Sequence, residues 1–431
     1  MTEEFLHYIW QYRLYNPNLV LQSGEEVEVL NPGIHNSDSG PDFFNAKIRI
    51  GETIWAGNIE IHIHSSDWKR HNHQQDKSYD NVILHAVWRD DMPVSRFDGS
   101  PVPTLELDGM YNEHAWKQYL GFMNSRQWIP CSSMISGIDL FVRNAWLDRV
   151  LVERLERKAL LVENILSLTQ NDWAQTFYRL LARNMGFKLN NQAFEMLAHS
   201  LPYQFLAKHA DDLFQVEAMV FGQAGLLEGT FADSYPQQLK TEYGFLRRKF
   251  DLTPIDAHLW RFMRLHPGNF PTLRLAQFAS IIHHSVVIIG ELFSSSNVTT
   301  YRKLFGAEAS EYWNTHYTFD KLSAPRHKTL GLSSIDLLLI NLVAPILVAY
   351  GRWKSDTSMI EKAVDLLLQL KPENNTFTRK WAETGIPAEN AASSQALIEL
   401  KTQYCDLKKC LSCSLGNTLL RHQFPESANQ V

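Results

Sequence analysis

The run Gly57-Asn58-Ile59-Glu60-Ile61-His62-Ile63-His64 alternates strictly between apolar and polar residues. That pattern fits a β-strand and excludes a helix, because only a strand returns side chains to the same face every second residue. Ile59, Ile61 and Ile63 then share one face, while Asn58, Glu60, His62 and His64 share the other. Glu60 and His62 become same-face neighbours about 7 Å apart. Such a pair can converge on one metal ion or one substrate atom. The plainer reading is a half-exposed strand with a wet polar face. Against it stand the acidic turn Asp38-Ser39-Gly40-Pro41-Asp42 upstream and His71, His73 and His85 downstream.

Around this strand the spacing predicts a helix over 3–15, strands near 25–31, 43–50 and 81–88, and a short helix near 66–74. Gly40 and Pro41 break regular structure and fix the chain's entry into the strand at Phe43, so Asp42 is held by a rigid turn. Asp67 and His71, four apart, share a face on the predicted short helix. Asp67 also reads as an ordinary first-turn cap, and His85, within the apolar run Val82–Trp88, as a core histidine. Glu28 and Glu26 fall on one face of their strand, as further ligands or a solvated edge. Glu3 and Glu4 lie in the first turn of the first helix, where carboxylates suit the helix dipole.

With 431 residues, 45% hydrophobic and 20% charged, the chain is folded and too long for one ordinary core. Its fold class is expected to be α+β. Residues 1–125 should form a mixed sheet with flanking helices, 126–400 a larger, irregular all-α domain, and 401–431 a Cys-containing tail packed back on the helical domain. The net charge of −6 provides no overall positive field for phosphate, so any nucleic-acid contact must be local. Arg247, Arg248 and Lys249, then Arg261, Arg264, His266 and Arg274, are the concentrated basic features, and a solvated helical face is the plainer reading. No secretory signal is visible at the N-terminus. Ile335–Tyr350, interrupted by Asp336, Asn341 and Pro345, reads as a buried helix. The protein is expected to be cytoplasmic, with no membrane partner.

Four cysteines occur, Cys131 and the cluster Cys405, Cys410, Cys413. The C-x4-C-x2-C spacing in a presumed cytoplasmic protein favours metal over disulfides. Zinc or an iron–sulfur cluster would take four ligands, with Cys131 as the fourth cysteine and His422 as an alternative.

Pro41-Asp42, a strand, a turn and Glu60-Ile61-His62 resemble the Pro-Asp…Asp/Glu-x-Lys signature of the restriction-endonuclease-like nuclease superfamily. The resemblance covers roughly the first 90 to 110 residues and implies a helix, three antiparallel strands, a helix and a strand. It also implies Asp42 and Glu60 as ligands of Mg²⁺ or Mn²⁺, with the superfamily's lysine replaced by His62. Some of these nucleases carry an iron–sulfur staple of one cysteine plus three near the C-terminus. The count here is similar, although Cys131 follows the nuclease-like core. The run Ser39–Phe43, the Gly-Asn-Ile-Glu-Ile-His strand and Arg264–Ala276 also resemble a family of uncharacterised bacterial proteins, domain of unknown function 2851, which implies no activity.

Three functions follow as expectations. The first is a metal-dependent nuclease acting on DNA or RNA, with Asp42 and Glu60 holding the metal and His62 positioning or deprotonating a water. The second is a hydrolase whose zinc or iron is held by His62, His64, His71, His73 and His85 with Asp42. The third is a nuclease-like scaffold without catalysis.

Overall fold

The computed structural model describes residues 1–36 and 38–421, and the fold is α+β as expected. It divides into two compact units, Met1–Trp146 with the C-terminal segment from Lys401, and Leu147–Leu400. The first unit holds a mixed sheet. Helix α1 (Glu3–Tyr12) begins at Thr2, whose hydroxyl accepts from the Phe5 N–H, and ends at Arg13 in the left-handed region. It buries Phe5, Leu6, Tyr8, Ile9 and Trp10 and packs on the sheet. Strands β1 (Leu19–Val20), β2 (Glu26–Asn31), β3 (Ile34–His35), β4 (Phe43–Ile50) and β5 (Thr53–His64) pair antiparallel. Strands β6 (Val82–Arg89) and β7 (Thr104–Glu106) continue the sheet in parallel, giving the order β1-β2-β4-β5-β6-β7 with β3 also on β4.

Strand β5 is central. It is antiparallel to β4 on one side and parallel to β6 on the other. Residues Ile59 to His62 are all buried, so this strand is not the half-exposed one its alternation also allowed. The predicted helix near 66–74 shrinks to α2 (Asp67–Arg70), because Asn72 adopts φ 64° and turns the chain into a 3₁₀ segment, His73–Gln75. Helix α3 (Glu113–Asn124) starts at Asn112, which caps the His114 and Ala115 N–H groups. It packs its aromatic residues on α1, with Phe5 stacked on Tyr119 at 5.0 Å.

The expected boundary at 125/126 differs from the observed one at 146/147. The helical periodicity after 111 marks a change of secondary structure, but α3 still belongs to the core of the sheet unit. The tail also lies elsewhere than expected, in the sheet unit. The Tyr8 hydroxyl reaches Asn417 at 3.1 Å, the Arg421 guanidinium lies 5.0 Å from the centre of the Tyr12 ring, and the Lys408 ammonium bonds the Met123 carbonyl.

The second unit is helical apart from a small hairpin, His316–Thr318 with Lys321–Leu322. Residues 255–264 depart from the all-α expectation for 126–400 and form only a 3₁₀ turn at Ala257–Leu259. Hydrogen bonds from the Ile255 N–H to Gln223 and from the Trp260 indole to Ala224 hold that segment against the end of the helix Leu213–Gln223. The apolar stretch Leu332–Lys354 contains a π turn at Leu339–Val343 and is 67% buried over its most apolar window.

Gly57 sits where β5 meets β6. A Cβ there would lie 2.5 Å from Ile83 Cγ2 and 2.6 Å from the Asn81 carbonyl. Gly57→Ala should therefore lower stability by about 1–3 kcal/mol in urea denaturation. Gly121→Ala, in α3 with nothing within 4 Å, should be neutral or stabilising by up to about 1 kcal/mol.

Candidate metal centre

The site is built where β4 enters the sheet. Asn36 organises the preceding loop: its side-chain amide donates to the carbonyls of Asp38, Ser39 and Pro41, and its backbone N–H to Asp42. A bulge then interrupts the β4–β5 pairing between Phe43 and Ala46, with Asn45 at φ 56°. Asparagine tolerates this left-handed conformation better than most residues. Continuing the outer register would set Asp42 opposite Ile61. The bulge shifts it opposite Glu60, and directly paired residues share a sheet face.

The two acidic residues clamp each other's strands. The Asp42 N–H donates to Glu60 Oε2 at 3.1 Å, and the Ile61 N–H donates to Asp42 Oδ2 at 2.8 Å. Around Glu60 Oε1 lie His73 Nε2 at 3.1 Å and His62 Nε2 at 3.4 Å. His71 Nδ1 is 3.1 Å from His62 Nε2. One ring nitrogen from each of His62, His71 and His73 lies within 4.8 Å of the other two.

Neighbouring rings fix these ligands. His85, beside Glu60 in the parallel register, places Nε2 2.9 Å from His62 Nδ1. The tautomer in which His62 Nδ1–H donates to His85 leaves the His62 Nε2 lone pair for a cation. Tyr79 stacks on His73 with centroids 3.7 Å apart, and Trp68, tied to the Ser95 carbonyl, meets both His73 and His85. His85 thus combines its two readings, a core residue that also orients a candidate ligand.

The electrostatics combine neutral imidazoles with a carboxylate that resists ionisation. Burial, then the Asp42 carboxylate, push Glu60 well above the usual carboxylate range. Burial, then His85, His73 and His71, hold His62 far below the usual imidazole range, and burial holds His85 down to about 3. Both histidines are therefore neutral, the form that ligates metals. His7 behaves differently. Burial alone would depress it, but Asp42, 3.3 Å from its Nε2, together with Glu3 and Glu60, raises it.

The sequence-selected residues separate clearly. Asp42, Glu60, His62, His71 and His85 come together. His64 is exposed at the end of β5 beside Arg89. Asp67 accepts from the His64 N–H at 3.1 Å and pairs with Arg70 at 3.0 Å, a local structural role. Glu28 pairs with Arg49 across β2 and β4, away from the histidines. In the helical unit, Arg247 and Arg248 bond nearby carbonyls at the end of the helix Ser234–Phe250, and Lys249 reaches His209, so these three close a helix C-terminus. On α1 it is Glu3, within the field of Asp42, His7 and His71, that faces the site, whereas Glu4 acts on Cys410. Glu3 and His7 were legible only as an i, i+4 pair on one helix face.

The cysteines also gather, all four as free thiols. Cys131 and Cys410 are pushed up to about 12 and Cys405 well up, in each case first by burial and then by the other cysteines. Burial pushes Cys413 up as well, against the N–H groups of Gly416 and Leu415 and the Trp146 indole, which act in the opposite direction. Among the described residues, no three cysteine sulfurs lie within 4.8 Å of one another. His422 lies outside the described residues.

The sheet, its bulge and the histidine–carboxylate cluster define an α+β protein with a candidate metal centre at one end of β5. The chain belongs to the family described as protein of unknown function (DUF2851), which matches residues 3–376. No curated protein and no solved structure matches it.

Asp67→Ala should cost about 1–3 kcal/mol in denaturation experiments, because the His64 N–H loses its acceptor. Metal affinity at the histidines should remain unchanged in calorimetric titration.

Proposed function

We propose that this protein is a metal-dependent phosphodiesterase acting on nucleic acid, with its metal held by His62, His71, His73 and Glu60. The observation that carries the reading is the set of three imidazole nitrogens within 4.8 Å of one another, with Glu60 Oε1 3.1 and 3.4 Å from two of them. Imidazole with one carboxylate favours zinc, manganese or iron over magnesium. A bound ion would lower the pKa of a water and take up charge developing on the phosphate. Asp42, anchored by the Ile61 N–H and paired with His7 Nε2 at 3.3 Å, accepts or returns the proton of the attacking water, and His7 balances the charge on its carboxylate. Support for a phosphodiester substrate comes from the element order of the sheet unit, a helix, antiparallel strands, a short helix and a parallel strand, which is the order the nuclease resemblance implies.

A second reading keeps Mg²⁺ or Mn²⁺ on Asp42 and Glu60 alone, favoured by the direct clamp between these two residues. The two readings part at His62→Lys. As a ligand, His62 cannot be replaced by a protonated lysine, so the variant should lose transition metal by elemental analysis and all cleavage. Under the two-carboxylate reading the same variant should keep or raise Mg²⁺-dependent cleavage. His71→Ala, at an exposed position, should weaken zinc or manganese binding at least about tenfold. Asp42→Ala should retain metal and lose cleavage by about 10²–10⁴-fold. Wild-type protein that cleaves neither single- nor double-stranded DNA or RNA with Mg²⁺, Mn²⁺ or Zn²⁺ would end both hydrolytic readings in favour of a scaffold.

We also propose that the four cysteines hold an iron–sulfur cluster. A single tetrahedral zinc with bonds near 2.3 Å would draw its sulfurs to about 3.8 Å apart, whereas among the described residues no three cysteine sulfurs lie within 4.8 Å of one another, and a cluster holds its thiolates farther apart. Anaerobically purified protein should contain iron and sulfide, and Cys410→Ser should lose both while His71→Ala keeps them. Zinc in place of iron, sensitive to Cys410→Ser, would overturn the cluster.

A further inference from the structure

The helical unit contains a buried arginine with no acid to balance it. Arg274 is 6% exposed, in the first turn of the helix Pro271–His283. Its Nη1 donates to Gln277 at 3.0 Å, and its Nη2 to Asn269 and to Ser334 at 3.2 Å, all neutral groups. Its Nε–H is buried without an acceptor. Among the described residues no carboxylate pairs with it; Asp336, on the helix Leu332–Leu338 that also supplies Ser334, is held by Arg302 at 2.8 Å.

Such an arrangement is unfavourable by itself. A guanidinium keeps its charge at every physiological pH, so burial cannot be relieved by losing a proton. A cation in the first turn also opposes the helix dipole, whose positive end favours anions. Both costs disappear if an anion occupies the space beside it. That space exists: Arg274 lines a cavity of about 440 Å³ together with Lys188, Asn269 and Ser334 and the apolar Phe194 and Leu337. Phe187, held at φ 47°, lies with its ring 4.6 Å from the guanidinium carbon and fixes its plane.

We propose that this cavity is a binding site for a small molecule bearing a compact oxyanion, a carboxylate or a phosphate, with an apolar body. The oxyanion accepts from Arg274 Nε–H, the Lys188 ammonium at the exposed rim adds long-range attraction, and the apolar wall takes the remainder of the molecule. This site is separate from the histidine–carboxylate centre and does not depend on the phosphodiesterase reading.

Titration calorimetry on the full chain, with inorganic phosphate and hexanoate as probes and hexylammonium as the opposite-charge control at matched ionic strength, tests it. At least one anion should bind with 1:1 stoichiometry while hexylammonium does not. Phosphate binding alone would assign a phosphate ligand, and hexanoate binding alone a carboxylate on an apolar tail. Arg274→Met should weaken that binding at least tenfold. Lys188→Glu, at an exposed position, should weaken it several-fold and serves as the deciding variant if Arg274→Met does not fold. Absence of binding by both anions, or equal affinity in wild type and every variant that folds, would overturn the proposal.

Discussion

Two reciprocal hydrogen bonds hold the centre of the sheet unit: Asp42 N–H to Glu60, and Ile61 N–H to Asp42. They fasten the first residue before β4 to the middle of β5, and they depend on a one-residue bulge at Asn45. The arrangement satisfies two backbone donors with carboxylate acceptors. It also creates a difficulty, because two carboxylates now share a buried corner. Glu60 responds with a raised pKa, driven by burial and then by Asp42. The neighbouring histidines cannot cancel that charge fully, since burial and mutual repulsion hold His62 and His85 neutral. A divalent cation, as proposed above, would resolve both problems together by taking the carboxylate's charge and the imidazoles' lone pairs.

How much of this was legible in sequence differs residue by residue. The alternation in β5 was sufficient to put Glu60 and His62 on one face, because strand period does not depend on tertiary contacts. Asp42 was legible through Gly40 and Pro41, although the bulge that aims it was not. Nothing local distinguishes Asn45 from another polar strand residue. His71 and His73 were legible as members of one histidine-rich metal set, but the chain path that aims them at His62 was hidden for a related reason. Helical spacing placed His71 with Asp67, but the helix stops after one turn and Asn72 reverses the chain, bringing His71 and His73 around His62 instead. Glu3 and His7 required knowing which face of α1 meets the sheet. That is a tertiary fact.

The domain boundary illustrates the same limit at larger scale. A change of periodicity reports secondary structure, while domain membership is decided by what buries each apolar face. α3 is helical, yet its Tyr119 stacks on Phe5 of α1 and so completes the sheet unit's core. The tail follows the same rule. Its amphipathic helix Ser414–Arg421 buries Leu415, Leu419 and Leu420, and Tyr8 of α1 supplies a hydrogen bond to Asn417. Composition identified the cysteines but not the surface that receives them.

Under the nuclease reading proposed above, His62 stands where the resembling superfamily carries lysine, and that difference reaches beyond one side chain. A lysine at this position would bring a permanent charge and three donors beside Glu60, and would offset the two carboxylates without competing strongly for the metal. A histidine held neutral does the reverse. It brings no charge to offset Glu60 and presents a lone pair to the same space. Once that substitution is made, further imidazoles become favourable neighbours, because each adds a ligand without adding repulsion. His71 and His73 around Glu60, with His85 behind His62, form such a nitrogen-rich set. Under the proposed metal reading, ligand type alone would then turn the preference of the site from hard cations to transition metals.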